Sequence, residues 1–246
     1  MDYGVLARSY SPLDYANNLR RTLKSFYQED SFNNLTKAQL HKEISKSLMQ
    51  NYNGEEVLKY RIANYFLKKG FVAAFEVNVK GSRVDFLVIN GNTEGFEIKS
   101  KIDTLNRLKK QVGDYKDVFE YNTVLIDEKH ITSLQKILPE YYGIWTFVGS
   151  KRNVIRKAAM SPDLDSKAQL DLFTKKDLTK HFKTSDKDVI LQQCESSLIN
   201  ALLKEVLKER YLTRWNFIKD NWGKILPIDL QFFFNSNIDP DLIYQG

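Results

Sequence analysis

The sequence predicts a mixed α/β fold with helical regions on either side, and three observations carry that expectation. Three short runs rich in Val, Ile and Phe, "FVAAFEVNV", "RVDFLVI" and "EGFEIKS", follow one another with only Gly-containing turns between them, the pattern of an antiparallel meander. A helical stripe precedes them in "GEEVLKYRIANYFLKKG" and another follows in "IDTLNRLKKQVGDYKDVFE". A buried strand, "NTVLI", comes next, so the central order is helix, three strands, helix, strand.

The elements fall into three regions. Residues 1–53 read as a helical extension: "LDYANNLRRTLKSFY" puts Leu19, Leu23 and Phe26 on one face, and "LTKAQLHKEISKSLMQNY" does the same with Leu40, Ile44 and Leu48. Residues 54–160 form the core region. It opens on a helix whose stripe is Leu58, Ile62 and Phe66, with Gly70 placed to end it. The helix after the meander carries Leu105, Leu108, Val112, Tyr115 and Phe119 along one side. A short helix around Ile131 to Leu138 and a strand "YGIWTFV" complete the region. Residues 161–246 read as helical again. There, 188–222 form one periodic stretch with Val189, Leu198, Leu202 and Val206 inward and Trp215 and Trp222 as anchors.

Composition bounds the function loosely. No run approaches the ~20 apolar residues of a membrane span, and the N-terminus lacks a basic region followed by an apolar one, so a soluble, cytoplasmic protein is expected. The single cysteine, Cys194, excludes a disulfide framework and a multi-cysteine zinc site and is expected to pack on a helix. His41, His130 and His181 have no metal-ligand spacing. A net charge of +6 and a pI near 9.1 favour an anionic partner, because clustered cations gain by releasing the counterions of nucleic acid.

The chemistry sits in "SRVDFLVINGNTEGFEIKSK". Asn-Gly is the strongest short hairpin signal, and an apex at Gly91 brings Asp85 opposite Glu97. Directly paired residues share a sheet face, as do Glu97 and Lys99, two apart. A loop of odd length therefore gathers Asp85, Glu97 and Lys99, whereas a two-residue loop would separate Asp85 from the others. Paired carboxylates repel unless a cation lies between them, and magnesium suits such a pair because it takes oxygen ligands and keeps waters. A lysine beside it can orient the attacking water or stabilise charge on a phosphate. An isolated "ExK" is common on exposed strands. The aspartate in the preceding strand, the hairpin, and the helices before and after are what make this one distinctive.

With these residues in place, the stretch from Glu55 to Val148 resembles the PD-(D/E)xK nuclease superfamily. "EIK" followed by "DTLxRL" and "QxxxY" is similar to a group of uncharacterised bacterial nuclease-like members. The resemblance implies a restriction-endonuclease-like αβββαβ core with a mixed sheet. It implies a Mg2+- or Mn2+-dependent nuclease acting on DNA more than RNA, in phage defence, mobile-element biology or DNA repair. Asp85, Glu97 and Lys99 match the motif residues, although Val84 stands where the motif has proline. Glu55 matches the helix glutamate that joins the metal site in many members, with Glu56 competing for the role. Gln111 and Tyr115 match the Gln-x-x-x-Tyr motif. Gln111 is assigned to orienting Lys99 or a phosphate, and Tyr115, Lys101 and Arg107 to nucleic-acid contact. Lys109, Lys110 and Lys116 read as a solvated helix face. Glu76 is either a further acid near the metal or a partner for Arg83. A catalytically silent binding module on the same fold is the alternative, and the helical regions are candidates for a homodimer or partner contact.

Overall fold

A computed structural model of the chain describes residues 1–101 and 103–245. Three helices come first, α1 (Tyr3–Ser9), α2 (Ala16–Tyr27) and α3 (Lys37–Asn51). Thr36 starts α3 with a capping box closed by Gln39, which satisfies two of the donors a helix start leaves open. The helix α4 (Glu55–Leu67) leads into the strands β1 (Val72–Val79), β2 (Ser82–Ile89) and β3 (Thr93–Lys99). After β3 come α5 (Leu108–Lys116), β4 (Tyr121–Ile126), a 3-10 turn at Glu128–His130 and α6 (Ile131–Gln135). The hairpin of β5 (Gly143–Val148) and β6 (Lys151–Arg156) follows. The remaining elements are α7 (Ser166–Leu170), α8 (Lys175–Phe182), α9 (Lys187–Gln193), α10 (Ser196–Asp220), α11 (Leu230–Ser236) and α12 (Pro240–Gln245). Among the described residues no helix is long and apolar enough to cross a membrane.

The chain forms two compact units, Met1–Ile62 with Asn216–Gly246, and Ala63–Trp215. The first is helical. Leu6, Leu19, Leu23, Leu40, Ile44 and Leu48 make its apolar centre, as the stripes of α2 and α3 require. A buried polar knot lies beside it: Tyr10 and Tyr244 both donate to Asp229 Oδ2, at 2.9 and 2.7 Å. Because the Tyr10 proton goes to Asp229, His41 Nδ1, 2.9 Å from the Tyr10 oxygen, carries the donor hydrogen. Burial lowers the His41 imidazole to about 4 and raises the Asp229 carboxyl to about 6.

The second unit is built on one six-stranded sheet in the order β1-β2-β3-β4-β5-β6. The β1–β2, β2–β3 and β5–β6 pairs are antiparallel, and β3–β4 and β4–β5 are parallel, so the sheet is mixed. On one face Phe66, Phe86, Phe96 and Trp145 meet with ring centroids 5.0–6.3 Å apart. On the other, Leu108 and Val112 of α5 pack on Val124 and Ile126 of β4.

Several expectations need correction. The helix after the meander is shorter than its periodicity suggests, running Leu108–Lys116. Ser100 N and Oγ donate to Asp103 Oδ2 at 2.7 and 2.6 Å, which holds the preceding residues as a loop, and Ile102 lies outside the described residues. The single C-terminal helix is two, broken at Cys194, whose backbone is extended, so the cysteine caps a helix instead of packing along one. The inward stripe of α10 is Ile199, Leu203, Val206 and Leu207, while Leu198 is 47% exposed. The helix near Ile131 ends at Gln135. The edge strand β6 was not expected at all; its exposure alternates, but "KRNVIR" is too polar to read as a buried strand.

Candidate metal and phosphodiester site

The turn that decides the hairpin has three residues. Ile89 pairs with Thr93 and Phe86 with Phe96, leaving Asn90, Gly91 and Asn92 as the loop, closed by Asn90 N donating to Asn92 O at 3.0 Å. Gly91 has φ +96, a conformation that costs glycine nothing. The odd loop sets the parity. One step beyond the Phe86/Phe96 pair, Asp85 and Glu97 stand across from each other. The ladder opens there, and Asp85 Oδ2 accepts from the Ile98 backbone N–H at 2.6 Å. Asp85 thus substitutes for a strand carbonyl and is fixed against β3.

Glu97 and Lys99 are 2% and 9% exposed, far from the solvated pair of an ordinary strand surface. Lys99 Nζ donates to Glu97 Oε1 at 2.5 Å. The Tyr115 hydroxyl lies 2.9 Å from Glu97 Oε2 and 2.7 Å from the Arg83 carbonyl oxygen, two acceptors that share its one proton. Gln111 lies near Glu97 and adds the smallest of the influences that favour its ionised form. Burial raises the Glu97 carboxyl, against the pull of Lys99, Tyr115 and Gln111; burial and then Glu97 raise the Tyr115 phenol. Tyr115, expected to touch nucleic acid, is 1% exposed and instead holds Glu97 to the Arg83 backbone. It reaches both because α5 packs over β2 and β4 with Tyr115 on its inward side.

Glu76 joins Asp85. Their carboxylate oxygens approach within 4.8 Å, and Glu76 forms an ion pair with Arg83 Nε. In β1 the paired residues Phe75 and Val77 flank Glu76, and in β2 their partners Phe86 and Val84 flank Asp85. Glu76 itself has φ +56, which is unusual for a residue with a side chain. Glu55 begins α4 in the first unit and is paired with Lys59 at 2.5 Å; it is half-buried, whereas Glu56 is exposed.

The basic residues divide sharply. Lys101 and Arg107 are exposed. Lys110 is tied to Asp114 at 2.5 Å, and Lys116 to Asp163 at 3.0 Å. The supporting role of Asp103, which fixes the chain just after Lys99, was missed in the sequence; the Ser-x-x-Asp spacing of Ser100 and Asp103 was the available signal.

A family model described as bacteriophage P4 protein cII matches residues 48–233. Protein cII of Enterobacteria phage P4 is 25% identical over 172 residues, covering 65% of this chain. The chain spans 65% of that relative's length. A solved protein of unknown function from Silicibacter pomeroyi is 23% identical, with 42% of this chain and 70% of that one covered and a TM-score of 0.35. The chain belongs to the bacteriophage P4 protein cII family.

Proposed function

We propose that this member of the bacteriophage P4 protein cII family is a divalent-metal-dependent nuclease, acting on DNA before RNA, with a restriction-endonuclease-like core in its second unit. The observation that carries the reading is the buried Glu97–Lys99 pair standing across from Asp85 where the β2–β3 ladder opens. Burying a lysine and a glutamate together is a weak route to stability, so their presence beside further carboxylates favours chemistry. The donor set fits magnesium or manganese: Glu76 and Asp85 offer hard oxygen ligands within 4.8 Å, the type these ions take, whereas Glu97 is not among the acids gathered there. A bound divalent ion supplies Lewis-acid activation of the attacking water and offsets phosphate charge.

The chain's own residues do the positioning. Lys99, held by Glu97 Oε1, presents its remaining N–H donors to charge that develops on the phosphate. Tyr115 fixes the Glu97 carboxylate, so Lys99 needs no reorganisation when substrate arrives. Lys101 and Arg107 hold the nucleic-acid backbone without reading its sequence. A cytoplasmic role in mobile-element biology, phage defence or DNA repair agrees with this reading, the phage relative favouring the first.

The test is cleavage of DNA by purified protein with Mg2+ or Mn2+. Asp85→Ala and Lys99→Ala are each expected to abolish it; full activity in both variants rejects the assignment. One observation favours a silent binding module instead, namely that both Glu97 oxygens already face partners of the chain's own. Failure to bind Mn2+ at millimolar concentration would decide for that module.

A further inference from the structure

We infer that the first unit binds a small organic ammonium ion, a protonated amine on a short apolar body, in the cavity beside the Asp229 knot. The site lies within that unit and does not rest on the nuclease reading. Its volume is about 180 Å³. A cavity of about 150 Å³ accommodates benzene, so this one takes a single ring or a short chain with its head group. Leu48 of α3, Ile228 and Phe232 of α11 offer apolar wall for the body of such a ligand. Tyr10 and Tyr52 also line it; with Phe232 they are half-buried, so the cavity is reached from solvent.

The polar end of the cavity is Asp229, which lines it and is 2% exposed. Tyr10 and Tyr244 both spend their protons on Oδ2. Among the described residues Oδ1 accepts no hydrogen bond, and the side chain does not cap α11, the helix it precedes. One oxygen of a buried carboxylate is therefore left for a donor from outside the chain. Buried polar atoms are nearly always paired, so an open one beside a cavity points to a ligand.

Charge selects the class of that ligand. The Asp229 carboxyl, raised to about 6 by burial, is ionised at neutral pH, whereas His41, lowered to about 4, is neutral. The knot thus carries a negative charge that its two tyrosine donors solvate without cancelling. Among the described residues lining the cavity there is no Lys, Arg or His, and a buried charge without a counter-charge is costly. An ammonium group meets both needs, since it donates a charge-assisted hydrogen bond to Oδ1 and brings the missing positive charge. The aromatic lining favours the same choice, because ring faces attract cations. A magnesium or calcium ion does not suit the cavity, as each takes six or more oxygen ligands and Oδ1 is a single one.

The experiment is calorimetry on the full chain at neutral pH with three probes: benzylamine, its neutral counterpart benzyl alcohol, and N-acetyl-lysine methylamide. Benzylamine is expected to bind, and benzyl alcohol to bind at least about tenfold more weakly, the difference that a hydrogen bond to a charged group makes. Asp229→Asn keeps an acceptor for the tyrosine protons and removes the charge; it is expected to lower benzylamine affinity by about tenfold. Ala7→Leu narrows the cavity from α1 and leaves Asp229 in place, so it tests the site even where Asp229→Asn does not fold. It is expected to weaken both benzyl ligands. No benzylamine binding at millimolar concentration, equal affinity for benzyl alcohol, or unchanged benzylamine affinity in either variant overturns the inference. Tighter binding of N-acetyl-lysine methylamide than of benzylamine supports it and assigns the cavity to a lysine side chain of a partner; the reverse order supports it and assigns a free amine.

Discussion

Glu97 is the residue on which the site turns, because it is an acid in a place where charge is expensive. Its carboxyl is raised by burial, and Lys99 is the largest opposing influence. Removing that counter-charge in Lys99→Met leaves the acid buried and uncompensated, which costs about 3 kcal/mol when it is ionised. The pH dependence has a definite sign. A carboxyl raised in the folded chain binds its proton more tightly there than in the unfolded chain, so stability is highest below the ordinary value of 4.5 and falls as pH rises. Urea denaturation of Lys99→Met should therefore show a loss relative to the parent that is larger at pH 8 than at pH 5. A pH-independent loss would mean that Lys99 contributes packing and not charge.

At the scale of elements, the three-residue loop sets which face each motif residue takes. Nothing lies within 4 Å of a Cβ added at Gly91, so Gly91→Ala tests backbone conformation alone. It should lower stability by about 1 kcal/mol, read as a drop in Tm; a neutral substitution would show that the loop does not need its φ. The hairpin was legible because Asn-Gly, the apolar alternation and the position of Asp85 agree with one another. Other elements were not, each for a physical reason. The periodicity through Asp103–Arg107 is helical, but the Asp103 carboxylate takes Ser100 N–H and keeps that stretch a loop. The stripe across Cys194 continues through a break, since an amphipathic pattern records which residues face inward and not whether the backbone stays helical. Tyr115 matched a motif, yet its burial against Arg83 and Glu97 depends on contacts 32 and 18 residues away, which no local pattern encodes.

Over the whole molecule, the excess of +6 is not spread evenly in its effect. Lys80, Lys110 and Lys116 are each committed to an aspartate, and a lysine paired in this way presents little net charge to a polyanion. Among the described residues, Lys101 and Arg107 have no such acid and flank the loop that leaves the Glu97–Lys99 strand. If that loop carries the nucleic-acid backbone, each of the two cations releases a counterion on binding. The logarithm of affinity then falls with the logarithm of salt concentration, with a slope of about 0.9 per neutralised phosphate. Lys101→Ala/Arg107→Ala is accordingly expected to weaken duplex binding in Ca2+ at low salt and to reduce that slope by roughly 1.8. The loss should be similar for duplexes of different sequence, because phosphate contacts carry no base information. A salt slope equal to that of the parent would place the nucleic acid elsewhere on the protein and separate the basic loop from the carboxylate site.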